Sequence, residues 1–410
     1  MSASEPGPDP VGPAVDRLVR RYYAYQATAT FGFVTPVFVL FLLLRDLTFA
    51  EIATLSALNW AVVTLGEVPT GYVGDRLGRR NSLLLSTALA TASLLGFLLA
   101  RSLLAFAVLY GLWALAIAFR SGAEGAWLFD ALADRGAAGR YTAVKGRGGA
   151  VKRWVGAGAM LAGGLLYVVQ PTWPFVAAAG LHGLGVPVLL ALPAGRHEGD
   201  GDRPTVAAVM PTVRRTLTRP PLRSFVAYVA LLVAAVGAAA TYVQPVTVSV
   251  LEARLAGLAV HGYAVPEQAT LGVLYAGFAA VEAAASDAAG AVEARFGRGR
   301  AILALVPSVG LVLVAAALAP VLAIPAFLAM RAGAAVVDPL ASGYLNDRLR
   351  SAGRATVLSA ASMGYAVVRL PLVVAAGVVA DAAAPLVAVG LAGAVAVVGA
   401  AVVIAVERPV

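Results

Sequence analysis

The sequence predicts an all-α integral membrane protein, with twelve transmembrane helices in two pseudo-symmetric six-helix bundles. Three observations carry that reading. The 410-residue chain is 60% hydrophobic and only 13% charged, with a mean hydropathy of +0.83. Apolar runs of the ~20 residues needed to cross a ~30 Å hydrocarbon layer recur along almost the whole length. Lipid offers no partners to an open backbone, so such runs read as helices. Finally, a ten-residue pattern that begins at Gly71 returns in degenerate form at 290–298.

Taken in order, residues 1–21 are rich in Pro, Gly and Asp and lack an apolar core, so they read as a disordered cytoplasmic tail and not a cleaved signal. Spans follow at 22–44, 51–73, 81–100, 103–131, 147–169 and 173–192, which form the first bundle, 22–192. The polar stretch 193–221, with Arg196, His197, Glu198, Asp200, Asp202, Arg214, Arg215 and Arg219, reads as a cytoplasmic linker. The second bundle, 222–406, holds spans at 222–250, 268–290, 300–319, 321–345, 355–380 and 384–406, and 407–410 is a short cytoplasmic tail. The fourth and tenth spans are long enough to emerge from the bilayer.

Orientation follows from charge. Of 31 Lys and Arg, only Arg45, Arg101 and Arg254 fall in the loops of one side. The positive-inside bias makes that side external and puts both termini in the cytoplasm. The net charge of +9 therefore reflects topology and not nucleic-acid binding. No cysteine is present, which excludes disulfides and thiolate metal sites. His182, His197 and His261 are scattered over a span, the linker and an outer loop, so no metal cluster or catalytic triad is implied. The glycine run from Gly146 to Gly149 lacks the lysine and hydroxyl order of a phosphate loop, which argues against an ATP-driven pump. Neither catalytic residues nor a cofactor is expected. Lysine occurs only as Lys145 and Lys152, and with the abundance of Ala, Gly and Val this points to a GC-rich prokaryotic genome.

The densest local signal is Gly71-Tyr72-Val73-Gly74-Asp75-Arg76-Leu77-Gly78-Arg79-Arg80, between the second and third spans. Gly71 and Gly74 allow close helix approach, Gly78 permits a tight turn, and Arg76, Arg79 and Arg80 hold the loop on the cytoplasmic side. Asp75, among guanidinium groups and near helix ends, suits a charge-assisted pair or a helix N-terminus. The stretch resembles the G-x-x-x-D-R-x-G-R-R loop of the major facilitator superfamily at every defined position. In the degenerate copy at 290–298, Ala294 stands for Asp75. A second echo pairs 127–132 with 344–349, at an offset that differs by two residues. The resemblance implies two parallel six-helix repeats with substrate held between them near the midplane, and a conformational gate at Gly71, Gly74, Asp75, Arg76, Gly78, Arg79 and Arg80.

Charges inside spans are expensive and mark function by default. They are Glu67, Arg120, Glu124, Lys152, Arg153, Glu282, Asp287, Arg331, Asp338 and Arg369. Spans 1, 4, 7 and 10 line the cavity in the superfamily, so the resemblance makes Arg120, Glu124, Arg331 and Asp338 candidates for the cavity or for proton coupling. On the same helices Gln26, Trp113, Tyr242 and Gln244 are candidate substrate contacts, each with a packing role as the alternative. Arg120 and Glu124 are spaced to meet on one helix face. The internal repeat sets Arg120 opposite Val337, next to Asp338, so a cross-bundle Arg120 to Asp338 pair is expected when the cytoplasmic side closes.

The segment from Arg120 to Asp130 looks like the end of span 4 in prokaryotic exporters of the superfamily. Two exporter features depart from pattern. Tyr110 stands where a drug-exporter arginine is expected, and the span-5 glycine signature of antiporters survives only as Gly156, Gly158, Gly163 and Gly164, with Ala162 in place of a proline. The expected function is secondary transport of a small organic solute across the cell membrane, as proton-coupled export. The alternative is import or facilitated passage of a polar or anionic nutrient, and a membrane enzyme or sensor is disfavoured. The expected partners are that solute, protons and membrane lipid, with the monomer sufficient.

Overall fold

The computed structural model describes residues 12–194, 220, 222–255, 259–260, 263–264, 266–348, 354–407 and 409. Most of the expected linker and the first eleven residues of the expected tail lie outside that set. The helices are α1 (Pro13–Thr28), α2 (Phe38–Leu43), α3 (Phe49–Leu77), α4 (Arg79–Leu99), α5 (Leu103–Ala133), α6 (Tyr141–Val169) and α7 (Trp173–Leu190), then α8 (Leu222–Ala240), α9 (Val243–Leu255), α10 (Glu267–Phe296), α11 (Arg298–Leu318), α12 (Ala323–Arg348), α13 (Arg354–Ala382) and α14 (Pro385–Val406). The only strands among the described residues are the two-residue pair Ala259–Val260 and Tyr263–Ala264, in the loop before α10.

Among the described residues, ten helices are long and apolar enough to cross a membrane. The first and fifth predicted spans are not among them. The fifth, α6, carries Lys145, Arg147, Lys152 and Arg153. The first is broken, because α1 starts at Pro13, inside the expected tail, and ends at Thr28, and α2 resumes only at Phe38. The break has visible causes. Pro36 has no N–H to donate, and the chain turns through Val34 N to Phe31 O (3.0 Å) and Val37 N to Val34 O (3.1 Å). Gly163 on α6 lets the bent segment lie close, since any side chain there would collide with the Phe33 carbonyl. The expected disordered tail is thus helical from residue 13, where Val15, Leu18 and Val19 are buried against α5 and α7 residues such as Leu132 and Leu189.

The internal repeat is a structural one. α3 passes into α4 through the single residue Gly78 (φ 86°), and α10 into α11 through Gly297 (φ 76°). Each glycine amide closes the helix before it, Gly78 N to Gly74 O at 2.9 Å and Gly297 N to Glu293 O at 2.8 Å. A left-handed φ at both turns explains why glycine stands at each. We call the end of the molecule that carries these two turns the signature face, and the other end the far face.

One buried cluster fills the second bundle, around Tyr228, Phe278, Val306, Phe327 and Tyr344. The first bundle has two. The far-face cluster is aromatic, with Phe41, Phe97, Phe106, Tyr110 and Phe175, and the signature-face cluster is built on Tyr22, Tyr25 and Trp127. The bundles meet through small residues. A Cβ on Gly272 of α10 would lie 2.6 Å from the Met160 carbonyl of α6, and one on Gly377 of α13 would lie 2.9 Å from the Phe49 carbonyl and from Ala50 Cα of α3. Such backbone approach supplies van der Waals contact where no hydrophobic drive exists between helices.

Candidate functional site

Among the described residues, the hydrogen bonds between the two bundles cluster on the far-face half. The broken first span leaves Thr35 O, Val39 N and Leu40 N without helical partners, and a buried backbone group in lipid needs one. Gln244 of α9 supplies all three. Its Nε2 donates to Thr35 O (2.8 Å), and its Oε1 accepts from Val39 N (2.8 Å) and Leu40 N (3.3 Å). Nearer the far-face end, the Asp381 carboxylate at the end of α13 accepts from Phe49 N (2.7 Å) and Ala50 N (2.9 Å), the opening amides of α3. Thr48 and Glu51 cap the same helix locally, by Glu51 N to Thr48 Oγ1 (3.2 Å) and Thr48 N to Glu51 Oε2 (2.9 Å). The far face is therefore shut.

From this seal a cavity of about 790 Å³ extends between the bundles toward the signature face. Its walls come from α2 and α3 on one side and from α8, α12 and α13 on the other, and its polar side chains include Arg331, Asp338, Tyr365 and Arg369. Trp60 and Arg369 lie ~15–20 Å along their helices from the far face, at ~1.5 Å per residue. That depth is about the middle of a ~30 Å layer.

The charges of the cavity are held differently. Arg331 Nη1 donates to Glu282 Oε1 on α10 at 3.3 Å, and its Cζ lies 5.5 Å from the Phe278 ring centroid. Arg369 has no ion pair among the described residues. Its Cζ sits 3.8 Å from the Trp60 ring centroid across the bundle boundary, its Nε is buried with no hydrogen-bond partner, and Gly237 leaves the room it occupies. Asp338 is exposed to the cavity and likewise has no ion pair among the described residues.

A second polar cluster lies inside the first bundle. Arg120 Nε donates to Glu124 Oε2 (2.7 Å), Nη1 to Ala29 O (3.0 Å) and Nη2 to Gln26 Oε1 (3.3 Å). Gln26 Nε2 donates to Glu124 Oε1 and to the Tyr22 hydroxyl (2.7 Å), which itself donates to Glu124 Oε1 (3.2 Å). The Ala29 carbonyl is freed by the end of α1, so the arginine also satisfies the helix break. In this state Arg120 is paired with Glu124 and not with Asp338.

Of the four cavity or coupling candidates, the structure thus puts Arg331 and Asp338 on the cavity wall and joins Arg120 to Glu124. The four candidate substrate contacts are placed elsewhere. Gln26 belongs to the Glu124 cluster, and Gln244 is spent on backbone groups. Tyr242 is fully buried with its ring 5.8 Å from that of Phe49, and Trp113 packs among Phe31, Phe38 and Phe97. None of the four lines the cavity. Sequence reading did not single out Trp60, and it counted Arg369 among the in-span charges without naming it as a cavity residue. The available signal was an in-span arginine with no acid one turn away.

At the signature stretch, Arg79 pairs with Asp130 of α5 and donates to Ala126 O (3.1 Å), while Arg80 donates to Leu192 O (3.1 Å). The second bundle repeats the pair as Arg298 with Asp347, and adds Glu293. Arg76 stacks on Tyr72, with Cζ 4.2 Å from the ring centroid. Gly74 abuts Ser82, where a Cβ would come within 3.0 Å of Oγ, whereas Gly71 faces open space and makes no close approach. The Asp75 side chain lies outside the described residues.

Two helical bundles around a midplane cavity that is sealed at one end define a membrane transporter fold. The sequence profile of the Major Facilitator Superfamily matches residues 25–372, and the chain belongs to that family. Its fold is similar to that of the nucleoside transporter NupG in a D323A mutant (TM-score 0.78, 12% identity, 95% of this chain and 99% of that one). It is also similar to the POT family transporter PepTSo (0.69, 13%, 95% and 97%). A bacterial homolog of the human lysosomal transporter Spinster, in an inward-facing and unoccupied conformation, matches at 0.66 with 17% identity over 97% of this chain and 95% of that one. Comparison with curated protein sequences finds no relative.

Proposed function

We propose that the protein is a secondary active transporter that moves a small organic solute across the cell membrane by alternating access, exporting it in exchange for protons. The carrying observation is the cavity between the bundles, sealed on the far face by Gln244 and Asp381 and extending toward the signature face. Rocking of one bundle against the other would open the far seal and close the signature face around the same site. The signature face is taken as cytoplasmic from the excess of Lys and Arg in its loops, so this state loads cargo from inside. Its signature loop would stabilise the closed form of that face, while the two arginine–aspartate ties, each made within one bundle, hold the helix ends of that bundle together. Glu124, held by Arg120, Gln26 and Tyr22, is the carboxylate assigned to proton coupling.

Import or facilitated passage of a polar nutrient is the second reading, favoured by the charged side chains in the cavity. The two separate in proteoliposomes. Solute movement driven by an opposing pH gradient and stopped by a protonophore supports exchange, whereas gradient-independent equilibration replaces it with facilitated passage.

A further inference from the structure

Arg369 and Asp338 face one cavity, carry opposite charge and are not paired with each other or, among the described residues, with any other ion. Both belong to the second bundle, Arg369 on α13 and Asp338 on α12. A rigid-body rocking of the bundles therefore does not bring them together. While the cavity is open, water reaches the exposed Asp338 and the part of the half-buried Arg369 that lines the cavity. When the signature face closes, water is expelled, and each charge left without a partner in a low-dielectric site is costly.

We propose that the missing partners are supplied by the cargo, and that this cavity is a binding site for a zwitterion whose carboxylate sits on Arg369 and whose ammonium group sits on Asp338. The inference rests on the transporter reading and adds the substrate class. Arg369 is prepared for the carboxylate. Its guanidinium is held over the Trp60 ring with Nε unspent, and a guanidinium supported by an aromatic face has its donors free for bidentate recognition of a carboxylate. Arg331 cannot take that role as freely, because Glu282 already engages it. A pure anion would leave Asp338 unmatched on closure, a pure cation would leave Arg369 unmatched, and a neutral solute would leave both. Trp60 acts as a positioning residue from the first bundle, so occupation of Arg369 touches both halves of the molecule. The cargo then lowers the cost of closing.

The test is binding to the purified full-length protein by calorimetry, with the ω-amino acids from glycine to 8-aminooctanoate as probes. For the chain length that binds best, the matched carboxylate without the amine and the matched amine without the carboxylate are compared. The proposal expects the zwitterion to bind at least tenfold tighter than either single-charge analogue. It also expects R369Q to abolish the preference over the amine and D338N to abolish the preference over the carboxylate. R369K, which keeps the charge and loses the fork, should retain partial affinity, and thermal unfolding of each variant establishes that it is folded. Equal affinity for zwitterion and carboxylate, or no binding by any zwitterion in the series, would overturn the proposal. Neither result bears on alternating access, which stands or falls on flux and on the distance measurement below.

Discussion

The carboxylate of Asp381 caps a helix of the opposite bundle, accepting from Phe49 N at 2.7 Å and from Ala50 N at 2.9 Å. An N-terminal helix amide has no partner of its own, and a carboxylate there is favoured by the helix dipole. The far-face seal is thus built on a bond the first bundle cannot make by itself. Any opening of that face must break it.

Asp381→Ala removes the cap from outside while Thr48 and Glu51 still hold it from inside. Losing a helix N-cap costs on the order of 0.5–2 kcal/mol, and 1.4 kcal/mol is tenfold in an equilibrium. Amide hydrogen exchange over 48–52 should therefore accelerate up to about tenfold, with exchange in the far-face aromatic cluster of the first bundle unchanged. Uniform acceleration across that bundle would mean global loosening instead of a latch.

Gly272→Val should lower the thermal unfolding midpoint, because its Cβ would lie 2.6 Å from the Met160 carbonyl and 3.1 Å from Leu161 Cα. Overpacking of this kind costs about 1–3 kcal/mol. Gly277, on the same helix with nothing within 4 Å of its Cβ position, is the control. Equal effects at the two positions would remove close backbone approach from the account of the interface.

The turns at Gly78 and Gly297 have nearly the same conformation, φ 86° and ψ 145° against φ 76° and ψ 146°. A side chain there costs about 1–3 kcal/mol. G78A and G297A should therefore destabilise the protein by similar amounts in detergent unfolding. A large effect at one and none at the other would break the structural equivalence of the two repeats.

Arg120 spends its donors inside the first bundle, on Glu124, Gln26 and Ala29. A double-mutant cycle on thermal stability with Arg120→Gln should give a coupling of about 0.5–3 kcal/mol with Glu124→Gln and less than about 0.5 kcal/mol with Asp338→Asn. The reverse order would restore the cross-bundle pair that the repeat spacing predicts and would remove Asp338 from the proposed ammonium site.

The repeat was the part of the architecture most legible in sequence. The echo of 71–80 and the echo of 127–132 are the two ends of one ion pair, Arg79 with Asp130, written again as Arg298 with Asp347. The break in the first span was not legible, because 29–37 is as apolar as a helix and the bonds that tolerate the break come from Gln244, about 200 residues away. The same distance hid the role of Gln244 itself. A glutamine in an apolar run looks alike whether it faces a ligand or a carbonyl. Arg369 was visible as an unmatched charge, but its partner is an aromatic ring on the other bundle, and no local spacing encodes that.

The central claim is that two faces open in alternation around one cavity, and the absence of cysteine makes it directly measurable. Spin labels at Ala138→Cys and Ala294→Cys span the signature face, and labels at Leu104→Cys and Val321→Cys, both exposed positions, span the far face. Double electron–electron resonance distances should be long at the signature face and short at the far face in the state described here. With Asp381→Ala, the account predicts a second population in which the signature distance shortens and the far distance lengthens together. A single unchanged distance at each face, with and without Asp381, would contradict it.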